Sequence, residues 1–335
     1  MNSKSVSPPR QREFPVAWLL RLAVSAAVLV VIFRIVPIEQ IWREAQQLSP
    51  LLWCSALAIF LAGHAAAAAK WRLLIGPGVS FAQAFQAHLA GLAANLCLPG
   101  VAGGDVVRAG LVFQSAEDKA QLVVGSVGDR VLDVFGLLII SVVGAWLAWH
   151  PDLREHRGTT GLLAAIAIAM VLVFPASIVL DRALQRMNPA GRFGRLAVRA
   201  VSATAFLAHR PGRLLLCLAI SMTVQATFVA INIAFATAMQ VEAPAASWFY
   251  AWSTAKIVAI APISLGGLGV REAVMARLME PFGVIPAKTV AIGLIWQTVL
   301  YASGFIGVLA QVVWRPAAVK TAVKATPASA PEHSP

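Results

Sequence analysis

One short phrase occurs twice in the chain. The first copy is Pro99-Gly100-Val101-Ala102-Gly103-Gly104-Asp105-Val106-Val107-Arg108 and the second is Pro262-Ile263-Ser264-Leu265-Gly266-Gly267-Leu268-Gly269-Val270-Arg271, followed by Glu272. Both read Pro, three residues, Gly-Gly, three residues, Arg. Each interrupts an apolar stretch and is followed by a short amphipathic segment and then a long apolar run. Backbone broken by Pro and Gly cannot stay helical at membrane depth, and it is tolerated there only where protein buries it or water reaches it. Paired breaks in corresponding halves point to a transporter binding site.

That constraint applies because the chain is a membrane protein by composition. Of 335 residues, 59% are hydrophobic and 13% charged, with mean hydropathy +0.76; soluble domains carry about 25% charged residues. The net charge of +12 does not read as nucleic-acid binding, because the basic residues sit in short segments between apolar runs, as the positive-inside rule requires. Cys54, Cys97 and Cys217 lie in apolar segments without metal-site spacing, which indicates neither a disulfide framework nor zinc. The six histidines form no i, i+4 pair. No cofactor is expected.

Read in order, residues 1–15 form a disordered cytoplasmic tail, 16–314 a single all-α membrane domain in two halves (16–149 and 160–314), and 315–335 a second tail. Full spans are expected at about 16–36, 50–69, 121–148, 160–180, 214–238 and 288–313. Lys70, Trp71 and Arg72 read as an interfacial anchor closing the second span. The stretch 182–213 carries seven arginines against Asp181 and so lies on the inner side. If both broken stretches, 81–98 and 246–284, are re-entrant, six crossings remain and three of them separate the phrases, so the halves are inverted. If both cross fully, the repeat is parallel. The first arrangement is preferred, and in both cases the termini are cytoplasmic.

The phrase suits an anion. Gly-Gly lets backbone approach a ligand, the helix that follows presents free N–H groups, and an arginine one turn on can grip phosphate with a planar fork. Two such half-sites would suit a lipid phosphate. The competing reading is close helix packing with snorkelling arginines. In the third span Asp129 and Asp133 share one helix face, with Arg130 placed to pair with Asp133. Three charges within five residues inside a span call for partners or a wet chamber. Lys256, isolated in an apolar stretch, is either their counter-ion or a ligand for an anionic headgroup. No catalytic motif is present.

At these residues the chain resembles the lysylphosphatidylglycerol synthase transmembrane family of flippase-like proteins. The carrying motifs are Asn95 to Pro99 with Gly103-Gly104-Asp105 and Arg108, Asp129-Arg130 with Asp133, and Pro262 to Gly266-Gly267 with Arg271-Glu272. The resemblance covers about 15–314, and the length and layout are similar to those of a short hopanoid-associated branch. The resemblance implies a multi-pass protein of the bacterial inner membrane that flips or handles lipids, with those motif residues as the substrate-binding set. Full-length synthases add a soluble aminoacyl-transfer domain; this chain ends about 20 residues after its last span, so aminoacyl transfer is not expected. Gln297 departs from the basic residue expected there in some relatives, which argues against a charge-coupled role for the last span. Three classes follow: a lipid flippase or lipid-handling transporter, a non-catalytic subunit serving hopanoid or aminoacyl-lipid enzymes, and a membrane-embedded lipid-modifying enzyme using Asp129 and Asp133. Membrane lipids are the expected partners, with lipid-biosynthesis enzymes as candidates and no nucleic acid.

Overall fold

Each long helix starts where the sequence supplies a starting signal. In the computed structural model, which describes residues 46–97, 102–149, 208–260 and 268–313 together with scattered positions in 34–43 and 161–205, helix α1 (Pro50–Ile75) opens on Ser49, whose hydroxyl accepts the N–H of Leu52 at 3.1 Å. Helix α4 (Lys119–Ala148) opens on Asp118, whose carboxylate accepts from Ala120 and Gln121 at 2.8 and 3.1 Å. Helices α5 (Pro211–Ala238) and α8 (Pro286–Val313) begin with proline, whose fixed φ and missing N–H suit the first helical position. Gly76, at φ +88°, ends α1 in backbone that side chains rarely adopt. Between the long helices lie α2 (Phe81–Cys97), α3 (Ala102–Val112), α6 (Ala245–Ile260), α7 (Val270–Met279) and a 3₁₀ turn, Glu280–Phe282. No strand occurs among the described residues, and four helices there, α1, α4, α5 and α8, are long and apolar enough to cross a membrane.

The first broken stretch is a helical hairpin. Asn95 accepts from Gly104 N–H at 3.0 Å, His88 meets Arg108 at 3.3 Å, and Gln83 meets Ser115 at 3.3 Å. The two numbers in each pair run in opposite directions, so α3 retraces α2 and returns to the end where α2 began. At that first end, Gly125 in the second turn of α4 packs on the Leu74 carbonyl of α1, and Arg213 at the start of α5 donates to Leu73 at 3.3 Å. Helices α1 and α5 run antiparallel: Phe60 stacks on Phe228 with centroids 4.8 Å apart, and Lys70 reaches Ser221 at 2.7 Å.

The second broken stretch is anchored at the other end. Lys288, in the first turn of α8, donates to the Met239 carbonyl at 2.8 Å just past α5. Trp149, at the close of α4, lies against both Tyr250 of α6 and Phe282 after α7, with centroids 4.6 and 5.5 Å apart. The start of α6 and the end of α7 therefore share the end at which α4 and α5 finish.

Each hairpin packs on a long helix outside it, α2 on α8 and α6 on α4. Glycines make this possible. A Cβ at Gly307 of α8 would stand 2.3 Å from the Leu89 carbonyl of α2, and one at Gly144 of α4 would stand 2.6 Å from the Tyr250 nitrogen of α6. Trp248, Trp252, Trp296, Phe228 and Phe235 fill the largest apolar core, between α1, α5, α6 and α8.

Two boundaries differ from the sequence expectation. The second span continues past residue 69 to Ile75 and carries Lys70 into the interior at 1% exposure. Lys70 is therefore not an interfacial anchor; carboxylates on α4 hold it inside. The first phrase places Gly103 and Gly104 within the opening turn of α3 rather than ahead of it, so Arg108 lies nearly two turns in. The expected spans at 16–36 and 160–180, for the most part, and both tails lie outside the described residues, as do Pro99 to Val101 and Ala261 to Gly267.

Candidate functional site

Helix α4 brings three charges inward, and three further charges from α1 and α3 answer them. Lys70 lies 2.9 Å from Asp129 and 2.5 Å from Asp133. Ser221 of α5 accepts from Lys70 and donates to Asp133 at 2.6 Å. Arg108, 2% exposed, donates to Asp129 at 2.7 Å, stands 3.1 Å from Asp105, and lies over the Trp71 ring at 4.7 Å. Arg130 grips Asp105 with two nitrogens, each at 2.5 Å, and reaches Asp133 at 3.8 Å. Its main partner is thus Asp105 on the hairpin, not the Asp133 expected from i, i+3 spacing. Three cations and three carboxylates balance within one network. A charge buried at membrane depth needs such partners, because separation leaves it uncompensated.

Two histidines extend this network. His88 Nδ1 faces Arg108, and His64 Nδ1 lies 2.9 Å from His88 Nε2. Arginine only donates, so with both rings neutral the His88 proton sits on Nε2 and points to His64. The carboxylates point at ammonium and guanidinium groups rather than at one another, so a divalent cation would have to displace those partners.

The second phrase is built differently. Arg271, 6% exposed, pairs with Glu272 and donates to Gln297 at 3.1 Å and the Gly293 carbonyl at 3.3 Å, over the Trp252 ring at 5.4 Å. The other oxygen of Glu272 accepts the Gly269 N–H at 2.8 Å, and Gly269, at φ +83°, turns the chain into α7. Glu272 therefore satisfies the helix start and its neighbour's charge together. Gln297 takes part as an acceptor for Arg271, which a basic side chain could not be. Lys256 lies within ion-pair distance of neither Asp129, which meets Lys70 and Arg108, nor Asp133, which meets Lys70 and Arg130; it donates to Gln225 at 2.8 Å and lies 5.4 Å from the Phe228 ring centre.

A cavity of about 250 Å³ is lined by residues of both hairpins and of α1, α4, α5 and α8. Of the residues expected from the sequence, Asn95, Gly104, Asp105, Arg108, Asp129, Arg130, Asp133 and Arg271 line it; Glu272 lies beneath Arg271, Gly103 is not in the lining, and Gly266 and Gly267 are outside the described residues. Sequence reasoning missed Lys70, His64, His88, Ser221, Gln225 and the aromatic wall of Phe60, Phe228, Trp252 and Trp296. A charge count could have found Lys70: Asp105, Asp129 and Asp133 outnumber Arg108 and Arg130 by one.

Compared with known proteins, residues 18–307 match the family model described as the lysylphosphatidylglycerol synthase TM region. No curated protein and no solved structure matches the chain.

Proposed function

From the chain's membership of the lysylphosphatidylglycerol synthase TM-region family, we propose that this multi-pass membrane protein is a lipid flippase or lipid-handling transporter whose cavity receives a lipid headgroup. The observation that carries the reading is the cavity itself, lined by Arg108 of one hairpin and Arg271 of the other. Asp129 lies ten residues into α4 and Lys256 eleven into α6, about 15 Å along each helix, near the middle of a hydrocarbon layer about 30 Å thick. Charged side chains at that depth are rare and mark the pathways of polar substrates.

The reading includes an inverted repeat: α1 pairs with α5 as counterparts of opposite direction, and the two hairpins enter from opposite ends. The registers Asn95–Gly104 and His88–Arg108, and the meeting of Lys288 with Met239, support it. Arg72, Lys119 and Arg213 cluster at the first end, which we assign to the cytoplasm of a bacterial inner membrane with both termini inside. Helices α2 and α6, of 17 and 16 residues, reach about 25 Å, short of a full crossing, as re-entrant segments should.

The test is translocation of a fluorescently labelled phospholipid in reconstituted vesicles, read by dithionite quenching of the outer leaflet. Quenching beyond the half-maximal level of protein-free vesicles supports transport. Half-maximal quenching with every headgroup tried rejects it.

A further inference from the structure

The charges at the cavity pair off and leave one over. Lys70, Arg108 and Arg130 face Asp105, Asp129 and Asp133, three against three. Arg271 is answered by Glu272. For Lys256, no carboxylate among the described residues lies within ion-pair distance. Its ammonium has the Gln225 carbonyl oxygen at 2.8 Å and the face of Phe228 at 5.4 Å. A carbonyl dipole and a ring quadrupole orient a cation but cancel none of its charge. Both arginines of the repeated phrase, by contrast, are committed to carboxylates.

We infer that Lys256, oriented by Gln225 and Phe228, is the anion-binding point of the cavity, and that it takes a phosphodiester bearing a single negative charge, carried by a membrane lipid. One unmatched positive charge calls for one negative charge. A net-neutral zwitterionic headgroup leaves it standing, and a dianion reverses it. A water-soluble phosphate ester offers the same group; the lipid is favoured because Val224, Phe228 and Leu300 give the cavity an apolar wall suited to glycerol and acyl carbons. The inference rests on the cavity being a headgroup site and moves anion recognition from Arg108 and Arg271 to Lys256.

The test titrates the full chain in detergent with phosphatidylglycerol, which carries one negative charge, and with phosphatidylcholine, which carries none net, and counts bound lipid by native mass spectrometry. Wild type should prefer phosphatidylglycerol by about tenfold. Lys256→Gln keeps hydrogen bonding without charge and should lose the preference, while Lys256→Arg should retain it; melting temperatures confirm that both variants are folded. An equal preference in wild type and Lys256→Gln overturns the inference, as does a wild type without preference. Dimethyl phosphate, a soluble phosphodiester, supplies a competition arm. If it displaces phosphatidylglycerol at equal concentration, the anion site stands and its lipid occupant is overturned. If binding is selective and Lys256-dependent in a protein that moves no lipid in vesicles, the site stands and the transport reading falls. Translocation without charge preference does the reverse.

Discussion

The ammonium of Lys70 lies 2.9 Å from the carboxylate of Asp129, joining two helices whose partners are 59 positions apart in sequence. Asp129 also receives Arg108 from the hairpin. One carboxylate thus holds α1 and α3 to α4, and Lys70 carries the link on to Asp133 and Ser221. Polar groups at these positions set the relative placement of helices that apolar packing alone would leave free to slide.

Replacing Lys70 should therefore damage the fold more than replacing any surface lysine. Breaking a buried pair from one side costs about 3–5 kcal/mol, because the other charge is left uncompensated. Lys70→Gln should lower the melting temperature in detergent strongly. Asp133→Asn added to it should restore part of the loss, since Asp129 keeps Arg108 while Asp133 has only Ser221 and a distant Arg130. Tryptophan fluorescence on the single and double variants measures this; simple addition of the two losses would contradict the shared network.

The helices and their breaks were legible in the sequence, because apolar runs, prolines and capping residues act locally. The expected spans at 121–148, 214–238 and 288–313 agree with α4, α5 and α8 to within three residues at each start. Partnership was not legible. Lys70 at the end of an apolar run has the same local sequence whether it snorkels or is buried, and only the docking of α4 decides. His64 and His88 are 24 positions apart on different helices, so no spacing rule connects them. Arg108 looked free for a ligand because its closest carboxylate partner, Asp129, comes from another helix; Asp105 and Glu272 were near their arginines in sequence, but spacing alone did not show that they pair.

Within the first hairpin, glycine matters where backbones meet. A Cβ at Gly104 would stand 2.4 Å from the Gly91 carbonyl and 2.5 Å from the Asn95 side chain, whereas Gly110 in the same helix has nothing within 4 Å. Gly104→Ala should part α2 from α3 and lower both melting temperature and lipid translocation. Gly110→Ala should leave translocation intact and add about 0.5–1 kcal/mol of helix stability. If the two variants behave alike, the close approach is unimportant.

The arginines of the repeated phrase should be intolerant of lysine for reasons internal to the protein. Arg108 serves Asp129, Asp105 and the Trp71 ring together, and Arg271 serves Glu272, Gln297 and the Gly293 carbonyl. A single ammonium cannot span either set. Loss of a charged hydrogen bond costs about 1.5–3 kcal/mol, so Arg108→Lys and Arg271→Lys should each lower the melting temperature as well as translocation. Arg277, 80% exposed and paired with Glu280, should accept lysine silently. A fall in translocation with unchanged melting would instead mean that the arginines act on the ligand itself.

Topology supplies the last prediction, and it follows from the two hairpin ends. Ser115 and Glu117 follow α3 at the first end, beside Gly78; Gln240 and Gly283 flank α6 and α7 at the second, beside Lys288 and the Trp149–Phe282 stack. In a background with Cys54, Cys97 and Cys217 replaced, Glu117→Cys should react with a membrane-impermeant maleimide only after the cytoplasmic face is opened. Gln240→Cys should react from outside in intact cells, because basic residues collect at the first end and short Lys/Arg-rich segments stay inside. Gly283, at φ +76°, is a poor site for substitution, so Glu242→Cys serves as the second outer probe. Both outer probes must agree for the second hairpin to enter from that side. Reaction of Glu117→Cys and Gln240→Cys from the same face would make the two halves parallel and remove the inverted arrangement that the transport reading includes.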